Sequence, residues 1–556
     1  MRQRRGDETS RWPRVERLGD LPYQDNSAAP RSGGFVRRAG NRWERRSLDD
    51  FRHDVTQVAQ GLIASGVAAG DRVVLACGTR YEWAVVAFAV WAVRGILVPV
   101  HLSCSAARLQ HVIRDSLPTV VIVESERHAR AVAGVHREPG ILARVCRLEE
   151  PPEGGTGGWT NPGLAPIVSA GTYMAASAVL FRREETTRDD IAVIAHPATT
   201  GTRSRGVVLT HRNLLSCADS LLARTGDLID DIPEGDASTL IHVPLAEVFA
   251  QTLLVACLMA GVRVGFPSGR SALMPEIRRF APTILLAHPH LLDRAYALEH
   301  AAEQKKSKNP GWDNLSAFNA ATEHAITYGQ GGRRGVWRRI SHAMHDWLYT
   351  RIRDRFGGRV AFIACIGGVP ERFTHFFNGA GLPIVQGFGM AETAGPLAID
   401  VIGKSPSGGV GRPLPGVRVR VSPAGEVQVS GATVARGYWN APAPTIAAFH
   451  EGWFATGLTG GLTSDGVLTL NRRARRRPPP PEAVAPPGAR AALPPAASPD
   501  RRPQPPLPVR RPEHPAPPAP TPPPPDTEAR PVRDPRPGGA DILNAPDEQR
   551  RQDVAH

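Results

Sequence analysis

Apolar positions recur at helical spacing in 51-FRHDVTQVAQGLIASG-66, and a turn at 68-AAGD-71 then leads into the apolar run 72-RVVLAC-77. The pattern repeats at once. A helix is expected over Trp83–Arg94, a strand at 96-ILVPV-100, a polar helix near Ser105–Ser116 and a strand at 119-TVVIVES-125. Runs rich in Val and Ile, separated by helical stretches, predict βαβ units and a largely parallel sheet. Further strands are expected in 191-IAVIA-195, 238-STLIHVPL-245, 283-TILLAHP-289, 360-VAFIACIGG-368 and 383-PIVQGFG-389. The stretch 83-WAVVAFAVWAVRGILVPV-100 is broken by Arg94 and Gly95, and reads as a buried helix feeding a strand rather than a membrane span. Between 149 and 185 the chain is rich in Gly, Pro and Ala without periodicity, which predicts a surface excursion.

The texture changes after Leu414. The segments 417-VRVRVS-422, 425-GEVQVSG-431 and 467-VLTLN-471 alternate over short spans with glycine-bearing turns, predicting a small antiparallel sheet or barrel attached to the main body. From Arg477 onward the pattern ends. About half of the 53 prolines fall there. Proline removes backbone donors, and so little apolar surface cannot offset the entropy of ordering, so a disordered tail is expected. The fold class is therefore α/β: a large multi-lobed body with parallel sheets flanked by helices, a small β-rich part, and a disordered tail.

Composition changes this picture little. The net charge of +14 comes mainly from arginine, since Lys305, Lys306, Lys308 and Lys404 are the only lysines. The arginines gather in both termini, in 333-RRGVWRRI-340 and in 472-RRARRR-477, without zinc-finger spacing or an RNA-binding signature; nucleic-acid recognition is not expected. Six scattered cysteines fit a reducing compartment. The N-terminus lacks the apolar core of a secretion signal, and a cytoplasmic protein is expected.

Three segments carry candidate chemistry. In 195-AHPATTGTRSRGVVLTHRN-213, a small-residue loop follows an apolar strand. Backbone N–H groups there, with the hydroxyls of Thr199, Thr200 and Thr202 and the freedom of Gly201, suit phosphate oxygens, and Arg205 can add charge-assisted bonds. A polar strand-to-helix turn is the plain alternative. In 386-QGFGMAETAG-395, Gly387 and Gly389 permit close backbone approach, and Glu392 is a carboxylate suited to Mg²⁺. Its plain alternative is a sheet-end loop whose Glu392 faces solvent. The third segment, 408-GGVGRPLPG-416, opens the β-rich part.

In this order the motifs resemble those of the adenylate-forming enzymes that activate carboxylic acids with ATP, especially bacterial long-chain acyl-CoA synthetases. The resemblance runs from about residue 46 to residue 470. It implies a basic arm over 1–45, an AMP-binding domain over 46–470 whose part 415–470 is β-rich, a hinge remnant at 471–477, and the tail at 478–556. It further implies that Thr199, Thr200, Gly201, Thr202 and Arg205 hold phosphates, with Thr200, Arg205 and Glu392 acting in catalysis and Glu392 also binding Mg²⁺. Gly387, Phe388 and Gly389 border the adenine, Gly367 and Gly368 form the boundary of the adenine and acyl sites, and Arg473 stands near the family's hinge arginine. The substrates implied are a medium- or long-chain fatty acid, ATP and CoA, and fatty-acid use implies peripheral contact with a membrane. Oligomeric state is not legible.

The chain also departs from the family pattern. Ser204 and Arg205 stand at the usual Pro-Lys pair, Ala391 replaces a threonine, and Glu247 replaces a histidine that abuts the acyl pocket. Leu458 occupies the place of the aspartate that holds the ribose hydroxyls. Gly437, Tyr438 and Trp439 read as structural, packing a turn against the preceding sheet. No lysine follows Lys404, where the family places a lysine-bearing small domain. A non-catalytic nucleotide- or acyl-binding protein is thus the alternative to an active ligase.

Overall fold

The chain's longest apolar run becomes its most enclosed helix: every residue of Tyr81–Ala92 is buried, as are all five of the strand Ile96–Val100 that it feeds. The computed structural model describes residues 12, 15–24, 33–39, 42–135, 138, 143–148, 164–197, 205–269, 272–306, 314–330, 343–401 and 409–471. All of them lie within the unit Met1–Leu493.

The strands, in chain order, begin with β1 (Phe35–Ala39), β2 (Arg42–Arg46), β3 (Arg72–Ala76), β4 (Ile96–Val100), β5 (Val120–Val123), β6 (Arg144–Arg147) and β7 (Ile191–Ala195). They continue with β8 (Val207–Thr210), β9 (Ser238–Leu240), β10 (Arg263–Gly265), β11 (Ile284–Ala287), β12 (Phe362–Ile366), β13 (Ile384–Met390) and β14 (Gly395–Val401). The last are β15 (Gly409–Pro413), β16 (Arg418–Val421), β17 (Glu426–Ser430), β18 (Gly437–Tyr438), β19 (Phe449–His450), β20 (Trp453–Leu462) and β21 (Leu468–Leu470).

Among the described residues these form two sheets. The smaller has the order β18-β8-β7-β4-β3-β5-β6 and is parallel from β7 to β6. The larger has the order β16-β17-β20-β21-β15-β14-β13-β12-β11-β9-β10-β1-β2, with β19 paired to β20. Its centre, β13 through β1, is parallel, as the Val- and Ile-rich runs predict.

The structure differs from the sequence reading at two places. Residues 35–39 and 42–45, expected in a basic arm, form β1 and most of β2 and pair into the large sheet, because Phe35 and Val36 offer a buried apolar face. The short strands after Leu414 form the antiparallel sheet expected there, attached edge to edge: β15 pairs both β14 and β21, so the ladder continues the large sheet. Within the expected excursion of 149–185, Ala165–Ala170 and Ala176–Glu184 are helices. Each is anchored by a single buried apolar residue, Ile167 or Val179, too sparse a signal to show as periodicity. Ile167 sits so close to Gly61 that a Cβ there would lie 2.0 Å from its carbonyl oxygen. The remainder of the excursion, 149–163, and the tail after residue 471 lie outside the described residues.

Candidate active site

Open α/β sheets bind ligands beyond the carboxyl ends of their parallel strands, where backbone groups are left unpaired. In the large sheet that edge carries most of the expected site. The parallel register sets Cys365 beside Gln386 and Ile366 beside Gly387, so the chain leaves β12 through Gly367 and Gly368 next to the β13 segment holding Gly387, Phe388 and Gly389. Gly367 has φ +96°, a left-handed conformation favouring glycine, and a Cβ on it would point into open space. Its carbonyl accepts a bond from Gln386 Nε2 at 3.2 Å. Gly389 is required for another reason: a Cβ there would fall 1.9 Å from the carbonyl oxygen of Gly395 in the antiparallel return strand. Phe388 is half-buried against the main core.

The turn after β13 is a single 3₁₀ turn, Ala391–Thr393, locked by buried Thr393, whose hydroxyl donates to the Gly395 carbonyl at 2.8 Å. This fixes Glu392. Its carbonyl accepts the Ala435 N–H at 2.8 Å, and its Oε1 accepts the Tyr438 hydroxyl at 3.1 Å. Tyr438 lies on β18, which pairs with β8, so the β-rich part, already continuous with the large sheet, is also stitched to the smaller one. Gly437, with φ +150°, lets the chain make this crossing, and the Trp439 N–H donates to the Gly206 carbonyl at 2.7 Å. Arg205 lies with its guanidinium carbon 6.0 Å from the Tyr438 ring centroid. One tyrosine therefore joins the stem of the glycine-threonine loop to the carboxylate of the second motif.

Thr199, Thr200, Gly201 and Thr202, like Arg473, lie outside the described residues. The loop's stems are built firmly. On the incoming side Arg108 Nη2 donates to the carbonyls of His196 and Pro197 at 2.9 and 2.8 Å. Asp115, whose carboxyl is pushed up by burial, approaches His196 Nε2 at 3.7 Å, and its carbonyl accepts bonds from Trp439 Nε1 and Asn440 Nδ2, each 3.0 Å. On the outgoing side the matched residues Thr210, His211 and Asn213 are architectural. Thr210 and Asn213 form a reciprocal cap at the start of helix His211–Asp230, and Asn213 Nδ2 also donates to the carbonyls of Ala432 and Val434. His211 Nδ1 accepts the Leu18 N–H at 3.1 Å, and full burial holds its imidazole neutral, pushed down to about 4.

An apolar cavity of about 50 Å³ adjoins this edge. Gly387 lines it from the site side, and Leu221, Phe249, Leu253, Ala256 and Ile399 are among the side chains that close it. Glu247, expected against an acyl pocket, lies outside that lining. It stands at the start of helix Val248–Met259, half-buried, its carboxyl pushed up by burial and opposed by nearby His101. The apolar lining thus escapes the buried-charge conflict the sequence suggested. Leu458 lies where β20 bends at Gly457, φ +70°, whose N–H is held by Glu426 Oε1 at 2.9 Å.

Sequence reasoning missed two groups. Tyr438 reads as a packing aromatic, although its hydroxyl reaches Glu392; the signal available was a tyrosine, rather than phenylalanine, beside a bend. Arg108 sits in a polar helix 88 residues before His196, and nothing local marks it. The residues that do converge are Gly367, Gly368, Gly387, Phe388, Gly389, Glu392 and, through Tyr438, Arg205. Glu392 keeps Oε2 without a described donor, which leaves one hard oxygen for a divalent cation, the ligand type Mg²⁺ takes beside phosphates.

The AMP-binding enzyme family model matches residues 26–439 of the chain. The long-chain-fatty-acid–CoA ligase FadD15 of Mycobacterium bovis is 33% identical over 439 residues, 78% of this chain and 70% of that protein. Among solved structures, the N-terminal domain of FACL13 from Mycobacterium tuberculosis superposes with a TM-score of 0.60 at 19% identity, covering 82% of this chain and 100% of that one. ATP-bound MatB from Rhodopseudomonas palustris gives 0.61 at 19% identity, covering 82% of this chain and 78% of that one. At such identities the two structures speak for the fold.

Proposed function

The chain belongs to the AMP-binding enzyme family, and from that premise we propose that it activates a medium- or long-chain fatty acid with ATP and passes the acyl group to CoA. In the first step a carboxylate oxygen attacks the α-phosphorus, the bond to the bridging oxygen breaks, and pyrophosphate leaves with the acyl-adenylate remaining. In the second, the CoA thiolate displaces AMP to give the thioester.

The observation that carries this reading is the single edge at which the Gly367 turn, the Gly387–Gly389 segment and the Arg205–Tyr438–Glu392 chain of contacts adjoin an apolar cavity. Thr199, Thr200, Gly201 and Thr202 supply backbone and hydroxyl donors to the phosphates, and Arg205 supplies charge at the loop stem. Phe388 covers the adenine, Gly367 and Gly368 let backbone approach the reacting groups, and Arg473 answers to the family's hinge arginine. Glu392, oriented by Tyr438, holds Mg²⁺, which when bound neutralises charge on the phosphate oxygens.

The acyl chain takes the apolar cavity. A cavity of about 50 Å³ is far too small for a long acyl chain, so a long acid enters only as Phe249 and Leu253, both half-buried, move aside. In this reading the protein is cytoplasmic, and its fatty-acid use brings it into peripheral contact with membranes. Among the described residues no helix is long and apolar enough to cross a membrane.

The test is pyrophosphate release from purified chain with ATP and Mg²⁺, across a ladder of straight-chain acids, with and without CoA. Acid-dependent release, and an acyl-CoA of matching mass when CoA is present, are expected. Nucleotide binding without acid-dependent release would sink the proposal and leave a binding protein.

A further inference from the structure

Strand β7 delivers His196 to the incoming stem of the glycine-threonine loop, and one face of a single helix is built to meet it. In helix Ala106–Ser116 the residues Arg108, His111 and Asp115 follow at spacings of three and four, which stacks them along one side. Ser105 caps this helix by accepting the Arg108 N–H, so the row starts from a fixed point. Arg108 holds the backbone of the stem through the carbonyls of His196 and Pro197. The next two members reach its side chain. The His111 and His196 rings meet edge to face with centroids 6.4 Å apart, and Asp115 Oδ2 lies 3.7 Å from His196 Nε2. The His196 side chain is 1% exposed.

Arg108 and the bond from the Trp439 N–H to the Gly206 carbonyl already clamp both sides of this stem. An imidazole facing a carboxylate adds little to that geometry. What it adds is a proton. The surroundings leave the pair to set its own charge. Trp439 and Asn440 meet Asp115 from the β18 side and are neutral, and Gly206 approaches His196 Nε2 without a side chain. Arg205 turns its guanidinium toward the Tyr438 ring. Behind Arg108 the Cys104 thiol is pushed up by burial and stays neutral, with Arg127 of the following helix beyond it. The charges bearing on His196 are therefore those of Arg108, His111 and Asp115. Burial pushes the Asp115 carboxyl up and His111 opposes that, so acid and imidazole take up or release a proton as one unit.

We propose that Asp115 and His196 are proton-linked positioning residues for the nucleotide: uptake of one proton by the pair cancels negative charge at the loop stem and tightens ATP binding. With the carboxylate ionised and the imidazole neutral the pair carries one negative charge; after uptake it carries none, whichever atom holds the proton. The change favours phosphate anions, and it reaches them through the stem rather than by contact. The inference rests on the nucleotide reading above.

The test is calorimetric titration of the full chain with MgATP from pH 8 to pH 5.5. The parent should bind about fivefold tighter at the acid end, the low end of ordinary coupling between sites. His196→Gln and Asp115→Asn, measured in the same buffers and so sharing the nucleotide's own ionisation, should lose that gain, and Asp115→Glu should restore it. Thermal melts check that the variants fold. Buried substitutions endanger the fold, so a second measurement uses the parent alone. Repeating the titration in buffers of different ionisation heat counts the protons taken up on binding. A fivefold coupling requires an uptake of roughly 0.4 proton at the midpoint. Parallel pH profiles in the parent and His196→Gln, or no proton uptake by the parent, would overturn the proposal and leave the catalytic reading standing. A parent that binds no MgATP at any pH would overturn both.

Discussion

Tyr438→Phe removes one oxygen from the site and leaves its ring in place. The phenyl group retains the edge contact with Phe449, centroids 5.6 Å apart, and the face presented to Arg205. What is lost is the 3.1 Å hydroxyl bond to Glu392 Oε1. A hydrogen bond to a charged group contributes about 1.5–3 kcal/mol. Both side chains are half-buried, and solvent screening reduces the expected figure to roughly 1 kcal/mol. If Tyr438 orients Glu392 toward Mg²⁺, that energy appears as a loss of cation affinity, about fivefold at room temperature. The assay is titration of a fluorescent ATP analogue with and without chelator, followed by a Mg²⁺ titration at fixed nucleotide. The Mg²⁺ midpoint should rise about fivefold, with chelated binding and melting temperature unchanged. An unmoved midpoint, or an equal loss of affinity with the cation chelated, would refute the reasoning.

Three further outcomes follow from the same geometry. His211 is held neutral, near 4 against an ordinary 6.5, so the unfolded chain takes up the proton first as pH falls; the stability present above 6.5 is lost progressively down to about 4. The full depression corresponds to about 3 kcal/mol, and denaturant melts of His211→Asn between these limits should show a shallower pH dependence than the parent, with buried His242 supplying part of the remaining slope. Leu458→Asp restores a carboxylate where the family holds ribose, and calorimetry should find ATP binding roughly tenfold tighter, with no gain for a nucleotide lacking both ribose hydroxyls. Phe249→Ala enlarges the apolar cavity, and pyrophosphate release should shift toward longer acids while stability falls by about 2 kcal/mol.

Legibility followed the range of the forces involved. Helix Tyr81–Ala92 and the strands β3, β4, β5 and β7 could be read because burial on all sides writes a continuous apolar run. The helices Ala165–Ala170 and Ala176–Glu184 could not, since each presents one anchoring residue to the core. In the site, glycines with demanding backbone geometry and the carboxylate of Glu392 stood out within their own segments. Tyr438 and Arg108 did not, because their partners are 46 and 88 residues away and only the fold brings them within bonding distance.

Asn213 joins the start of a helix to Ala432 and Val434, carbonyls 219 and 221 residues further on. A ribosome adding about 5–20 residues per second needs roughly ten to forty-five seconds to cover that interval. Throughout it the nascent helix start waits without its final clasp, and β8 lacks the strand that will border it. Assembly of this enzyme's nucleotide edge is therefore a late event in synthesis, and whatever chaperones the nascent chain meets must shelter a nearly finished body awaiting its last staple.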